Sequence, residues 1–109
     1  MTRLYISGPV TGIENNNVQA FWIAERDLDS AGYFASIPHQ YVRAIAGHEE
    51  AMLYSIHALT SPTLGTPVFD GLALLPGWEQ SEGARLEKAV AEACGIPCKT
   101  VDEWIEEAR

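Results

Sequence analysis

Glu87 is the residue whose surroundings most clearly invite chemistry. It closes the segment Leu74-Leu-Pro-Gly-Trp-Glu-Gln-Ser-Glu-Gly-Ala-Arg-Leu-Glu87, in which an apolar run breaks at Pro76-Gly77 and a helix starts at Ser81. Stepping about 100° per residue around that helix puts Leu86, Ala89, Val90 and Ala93 on one apolar stripe. Arg85, Lys88 and Glu92 fall on the solvent side. Glu87 lies on the opposite flank, among Gly83, Ala84, Ala91 and Cys94, all small. A carboxylate so bordered, one turn into a helix, points to close approach of another body, either a ligand or a second subunit. With a ligand docked there, the chemistry on offer is nucleophilic attack or proton transfer.

The second segment is Tyr5-Ile-Ser-Gly-Pro-Val-Thr-Gly12. Glycines directly after an apolar strand let a ligand reach the backbone, and Ser7 and Thr11 add hydroxyls. Neither a GxGxxG nor a GxxxxGK[ST] pattern is present, so dinucleotide and Walker-type fingerprints are absent. Glu79 and Glu82 sit near a helix N-terminus, where the dipole favours negative charge. Asp70 lies in the most apolar strand, where a carboxylate is costly unless hydrogen-bonded or functional. His39 follows Pro38 at a strand end and faces the expected site. His48 and His57 read as structural or surface residues on a helix. No His, Cys and carboxylate set has metal spacing, so no metal and no cofactor are expected. Of the tryptophans, Trp22 and Trp104 read as core or helix-packing residues and Trp78 as a loop residue.

The elements that must position these residues alternate. Leu4 to Ser7 reads as a strand, and Asn15 to Asn17 as caps for a helix with Val18, Phe21, Trp22, Leu28 and Ala31 on its stripe, stopped at Gly32. Tyr33 to Ile37 is a second strand. Gln40 to Gly47 stays ambiguous, and Glu49 to Leu59 is helical with Met52, Leu53, Ile56 and Leu59 facing inward. Ser61, Pro62, Gly65 and Pro67 break the chain before a strand from Val68 to Leu75. Ser81 caps the next helix, Gly95 ends it, and Ile96 to Lys99 is a short last strand. Thr100 and Glu103 have capping-box spacing for a final helix. Alternating strands and helices predict an α/β domain, residues 1–109, with a four- to five-stranded parallel sheet between helix layers. Ligands of such folds sit at the carboxyl ends of the strands.

Composition narrows the function classes. The 109 residues carry seven basic and fifteen acidic side chains, a net charge of −8. That charge disfavours a phosphate backbone, so duplex nucleic acid is not expected as a partner. A single small anion remains allowed at helix N-termini. No apolar run approaches the roughly 18 residues of a membrane span, and MTRLYISG lacks a signal-peptide core. Cys94 and Cys98 are not a CxxC pair and read as reduced thiols of a cytoplasmic protein. The minimal core favours a homo-oligomer.

YISGPVTG, the helix with Phe21, Tyr33 to Pro38 and, above all, LLPGWEQSEGARLE followed by GIP resemble the DUF4406 family. Its members are small bacterial and phage proteins similar to the nucleoside 2-deoxyribosyltransferases. The resemblance covers nearly the whole chain. It implies a flavodoxin-like or Rossmann-like three-layer fold and chemistry at an N-glycosidic bond, by base transfer or by hydrolysis of a nucleoside 5′-monophosphate. In the enzymes a glutamate nucleophile lies in a segment like G-x-x-x-E-x-x-x-A-x-x-x-G-x-P, which Gly83, Glu87, Ala91, Gly95 and Pro97 match. Tyr5 matches the tyrosine that orients the nucleophile, and Gly8 the first-loop glycine. Asp70 matches the aspartate that reads sugar or base, and Ser81 a phosphate-binding serine. Asp70 or Glu79 is then the acid for the leaving base. Ser7, Gly8, Pro9, Thr11, His39, Gly77, Trp78, Glu79, Ser81 and Gly83 are the expected ligand contacts. The chain departs from the enzymes at Pro76 to Glu79 and in lacking a placeable C-terminal carboxylate. The rival expectation is a non-catalytic nucleotide-binding module, a sensor or sponge.

Overall fold

The computed structural model describes residues 1–109. Four strands form a parallel sheet: β1 (Arg3–Ser7), β2 (Phe34–Ser36), β5 (Gly71–Leu74) and β6 (Cys98–Thr100), in the order β2-β1-β5-β6. A two-stranded antiparallel hairpin, β3 (Pro62–Thr63) with β4 (Thr66–Pro67), precedes β5. The helices are α1 (Val18–Ser30), α2 (His48–Thr60), α3 (Glu82–Ala93) and α4 (Val101–Glu107). Helices cover both faces of the sheet, as in flavodoxin-like and Rossmann-like three-layer folds.

Period-two alternation splits each strand between the layers. Leu4 and Ile6 join Phe21, Ala24 and Leu28 of α1 and Val101 and Trp104 of α4 in one core. Tyr5, Leu72 and Leu74 face the other way, against Ala58 and Leu59 of α2 and Ala91 of α3. Trp104 is fixed by donating its indole N–H to the Leu72 carbonyl at 2.9 Å. The Thr100–Glu103 capping box forms as its spacing predicts.

The strand order carries the functional consequence. From β1 the chain passes through α1 to β2, then returns to the far side of β1 as β5. The connections therefore diverge between β1 and β5, which opens a crevice outside their carboxyl ends. Gly8 ends β1 there. A Cβ at Gly8 would lie 2.7 Å from the Leu75 Cβ, so only glycine lets the two strand exits run this close.

Several sequence expectations need correction. The hydropathy stripe of α3 runs through Leu86, Ala89, Val90 and Ala93. The buried residues are instead Ala84, Glu87 and Ala91, and Leu86 is 46% exposed. Two small alanines let the helix approach the sheet, and hydrogen bonding makes Glu87 tolerable beneath it. Leu53 of α2 is 73% exposed rather than inward. Trp22 is exposed rather than core, whereas Trp104 is buried. Asn17 stands at the N-cap of α1, but its side chain makes no capping bond. Asn15, Asn16 and Asn17 all adopt left-handed backbone conformations, which asparagine tolerates better than most residues. The Asn16 amide donates to the Ala44 carbonyl and the Asn17 amide to the Pro9 carbonyl.

Candidate functional site

Glu87 stands at the floor of the crevice. Strand parity turns Tyr5 and Ser7 toward α2 and α3, and those helices supply Ser55 and Glu87. The Ser7 hydroxyl donates to Glu87 Oε1 at 2.5 Å, and the Ser55 hydroxyl donates to Glu87 Oε2. The Tyr5 hydroxyl lies 2.8 Å from Ser55 Oγ. The direction of that bond follows from proton counting. Ser55 has one hydroxyl proton, and an ionised carboxylate only accepts. With Ser55 donating to Glu87, Tyr5 must donate to Ser55. Ser7, Ser55, Tyr5 and Glu87 are all buried.

The electrostatics follow from the same contacts. Burial pushes the Glu87 carboxyl above the usual carboxylate range, and the Ser55 and Ser7 hydroxyls pull it back by stabilising the charged form. Burial, reinforced by the Glu87 charge, pushes the Tyr5 phenol far upward, against a smaller opposing effect of Ser55. Tyr5 is therefore a neutral donor at any physiological pH.

Above Glu87 opens a cleft of about 830 Å³, within the range of small-molecule sites. Gly8, Thr11, His39, Ser81 and Gly83, all expected from sequence, line it with Glu87. Ser81 caps α3 by accepting from the Ala84 N–H at 3.2 Å. Thr11 Oγ1 and His48 Nδ1 lie 3.5 Å apart at the outer limit of hydrogen bonding. His39 donates from Nε2 to the Asn16 carbonyl at 2.8 Å, and its ring packs edge-on against Phe21. A carbonyl only accepts, so the neutral ring carries its lone pair on Nδ1, a buried atom with no partner.

Other expected residues are not brought to the cleft. Asp70 is exposed at the amino end of β5, the opposite end of the sheet from Glu87. Its carboxylate accepts from the Arg3 N–H at 2.8 Å, which pins the start of β1. The strand begins one residue after Asp70, so the charge is never buried in it. Glu79 is exposed in a short 3-10 turn, Trp78–Gln80, outside the cleft lining. Trp78 packs against the α2–α3 core with the Lys88 ammonium 5.6 Å from its ring, and Gly77 and Pro9 support the loop rather than line the cleft. Neither candidate acid for a leaving base therefore faces Glu87.

Sequence reasoning missed Ser55; His48, read as a structural or surface residue, is exposed and also lines the cleft. Ser55 belongs to a helix read only through its apolar residues. Its signal was a small polar side chain on the inward face of α2, four positions after Ala51 and three before Ala58. The small neighbours of Glu87 were read as room for another body. The chain's own β1 and α2 fill part of that room, and Gly83, Ala84 and Glu87 also line the open cleft.

No group of His, Cys, Asp and Glu is placed to hold a metal ion. Cys94 and Cys98 are free thiols. No helix is long and apolar enough to cross a membrane.

Residues 2–100 match the domain of unknown function DUF4406. The chain belongs to that family. No curated protein and no solved structure matches it. In this DUF4406 member the segment from Leu74 to Glu87 has a physical meaning. It joins the end of β5 to the buried carboxylate that the rest of the site surrounds.

Proposed function

We propose that the cleft binds a nucleoside or nucleotide and that Glu87 attacks its anomeric carbon. The observation that carries this reading is the buried Glu87 carboxylate at the floor of the cleft, held by two hydroxyl donors from different elements. A nucleophile needs a fixed trajectory and an ionised form, and Ser7 and Ser55 support both. In the proposed step a Glu87 oxygen bonds to the anomeric carbon as the bond from carbon to base nitrogen breaks. The bonding pair leaves with the base, which takes a proton from water, and hydrolysis of the ester later returns one to solvent. Water then hydrolyses the glycosyl ester and restores the carboxylate, as in a retaining glycosidase. A second base in place of water makes the reaction a transfer. A 5′-phosphate fits the N–H groups of Val10 and Thr11, beyond Pro9, and the start of α3 near Ser81.

The lining holds little that would repel an anionic ligand. The chain bears fifteen acidic side chains, yet Glu87 is the one acid among the residues lining the cleft, beside His39, His48 and Arg43. Arg43 is held by Glu50 through two hydrogen bonds of 2.6 and 2.7 Å.

A second reading has its own observation. Retaining glycosidases pair their nucleophile with a second carboxyl group, and none faces Glu87 here. A binding module that holds the nucleotide without cleaving it, as a sensor or sponge of bacterial or phage origin, fits that feature. In either reading the protein works in the cytoplasm with its thiols reduced. Leu53, Tyr54 and Leu86, all exposed, offer a surface for a second copy.

The test is a thermal-shift screen of nucleosides and 5′-monophosphates, with chromatography for released base on every hit. A ligand at 100 times its Kd stabilises the folded chain by about 2.7 kcal/mol, a visible shift. Released base that disappears in Glu87→Gln supports the enzyme. A shift without released base supports the binding module. Normal turnover by Glu87→Gln rules out Glu87 as nucleophile.

A further inference from the structure

Trp22 is the largest side chain of the cleft, and the Glu87 network makes no use of it. It is 57% exposed although it lines the cleft. Its helix explains why. Phe21, Ala24 and Leu28 carry α1 onto the sheet, and Trp22 lies about 100° further round. Val18, one turn earlier, lines the same cleft. So α1 has two apolar faces, one on the sheet and a short one, Val18 with Trp22, on the cleft. The other two indoles are occupied. Trp104 meets Tyr33 edge-on and has the Lys99 ammonium 4.6 Å from its ring, and Trp78 lies under Lys88. Trp22 has neither an aromatic nor a cationic partner.

We propose that Trp22 is the platform on which the flat aromatic part of the cleft's ligand stacks. The assignment rests on the nucleotide reading of the cleft and adds the residue that recognises the base. The lining is free of acids apart from Glu87 and contains His39, His48, the strand exit at Gly8 and the first turn of α3 at Gly83. It suits an anionic end, while the Trp22 face suits a planar apolar end. A nucleotide carries both. Stacking senses a π-face rather than a pattern of donors and acceptors, so Trp22 favours any nucleobase over a bare sugar phosphate and chooses little among bases.

The test compares a 2′-deoxynucleoside 5′-monophosphate with 2-deoxyribose 5-phosphate, titrated into the wild-type chain and into Trp22→Leu and Trp22→Phe. The nucleotide is expected to quench indole fluorescence in the wild type and not in Trp22→Leu. Trp22→Leu should weaken the nucleotide by roughly ten-fold or more and leave the sugar phosphate within about two-fold, and Trp22→Phe should recover most of the loss. Equal loss for both ligands, or no loss, overturns the assignment while the nucleotide reading stands. A wild-type chain that binds neither ligand overturns both. If Trp22→Leu dissociates an oligomer and leaves nucleotide affinity unchanged, the ring belongs to a subunit interface and the assignment fails.

Discussion

Ser7 and Glu87 are eighty positions apart in sequence and 2.5 Å apart in space, the serine hydroxyl donating to the glutamate. Ser7 ends β1 and Glu87 lies on α3, on the core-facing side of both. A buried carboxylate is tolerated in an apolar layer only when donors surround it. Here Ser7 takes one oxygen and Ser55 the other, with Tyr5 behind Ser55. The arrangement holds the side chain still and leaves its charge partly compensated.

The first prediction concerns stability and pH. Burial raises the Glu87 pKa in the folded chain above the ordinary 4.5. Between that value and the raised folded value, the folded chain binds more protons than the unfolded one. Stability therefore falls as pH rises through this window and levels off above it. Glu87→Gln, which cannot ionise, escapes the loss. Its melting temperature should exceed the wild type's at neutral pH, with the gap closing below about pH 4.5. Thermal unfolding across pH checks this, and a gap that widens toward acid contradicts it.

The hydroxyl donors should rank by their distance from the carboxylate. Ser7→Ala and Ser55→Ala each remove a hydrogen bond to a buried charge, an effect of about 1.5–3 kcal/mol on stability above the Glu87 pKa. Each also pushes that pKa further up, so any turnover requiring ionised Glu87 begins at higher pH than in the wild type. Tyr5→Phe acts only through Ser55 and should move the acid limb less. Rate profiles of the three variants decide the order.

Asp70→Asn should leave ligand binding and turnover unchanged. The residue holds the Arg3 N–H at the amino end of β5, away from the cleft. A small loss of stability, about 0.5–1.5 kcal/mol, is the expected effect of weakening one neutral donor's partner. A large fall in activity with normal folding would return Asp70 to the site.

Gly8→Ala places a methyl 2.7 Å from the Leu75 Cβ in a buried strand exit. Overpacking of this kind costs about 1–3 kcal/mol and shifts backbone. Because Gly8 lines the cleft, ligand affinity should fall together with the melting temperature. Leu75→Ala in the same chain should restore neither, since alanine keeps the Cβ that the new methyl meets and leaves a cavity in the core.

The order of strands and helices was legible where β1, β2 and β5 are short, apolar and followed by Gly8, Pro38 and Pro76, whereas the exposed β3–β4 hairpin carried no such pattern. Ala84 and Ala91 illustrate where that legibility stops. A hydropathy stripe weights Leu86 above alanine, yet close approach to the sheet selects the small side chains, so the helix turns its alanines and Glu87 inward. Glu87 was legible through its neighbours' size and through the family motif. Ser55 was not, because nothing local distinguishes a serine that will meet a carboxylate thirty-two positions away. Asp70 misled for a related reason. One residue of difference in a strand's start separates a buried carboxylate from an exposed one.

Glu87 draws its donors from β1 and α2 while itself belonging to α3. None of those three segments can hold the carboxylate in its native state alone, and two together leave one oxygen bare. The constellation therefore comes into being only when the last of those three segments docks. Amide exchange at Ser7, Ser55 and Glu87 should report one common opening event. A partly folded intermediate that retains the α1–α4 layer but has lost α2 would keep much of its secondary structure and possess no competent cleft.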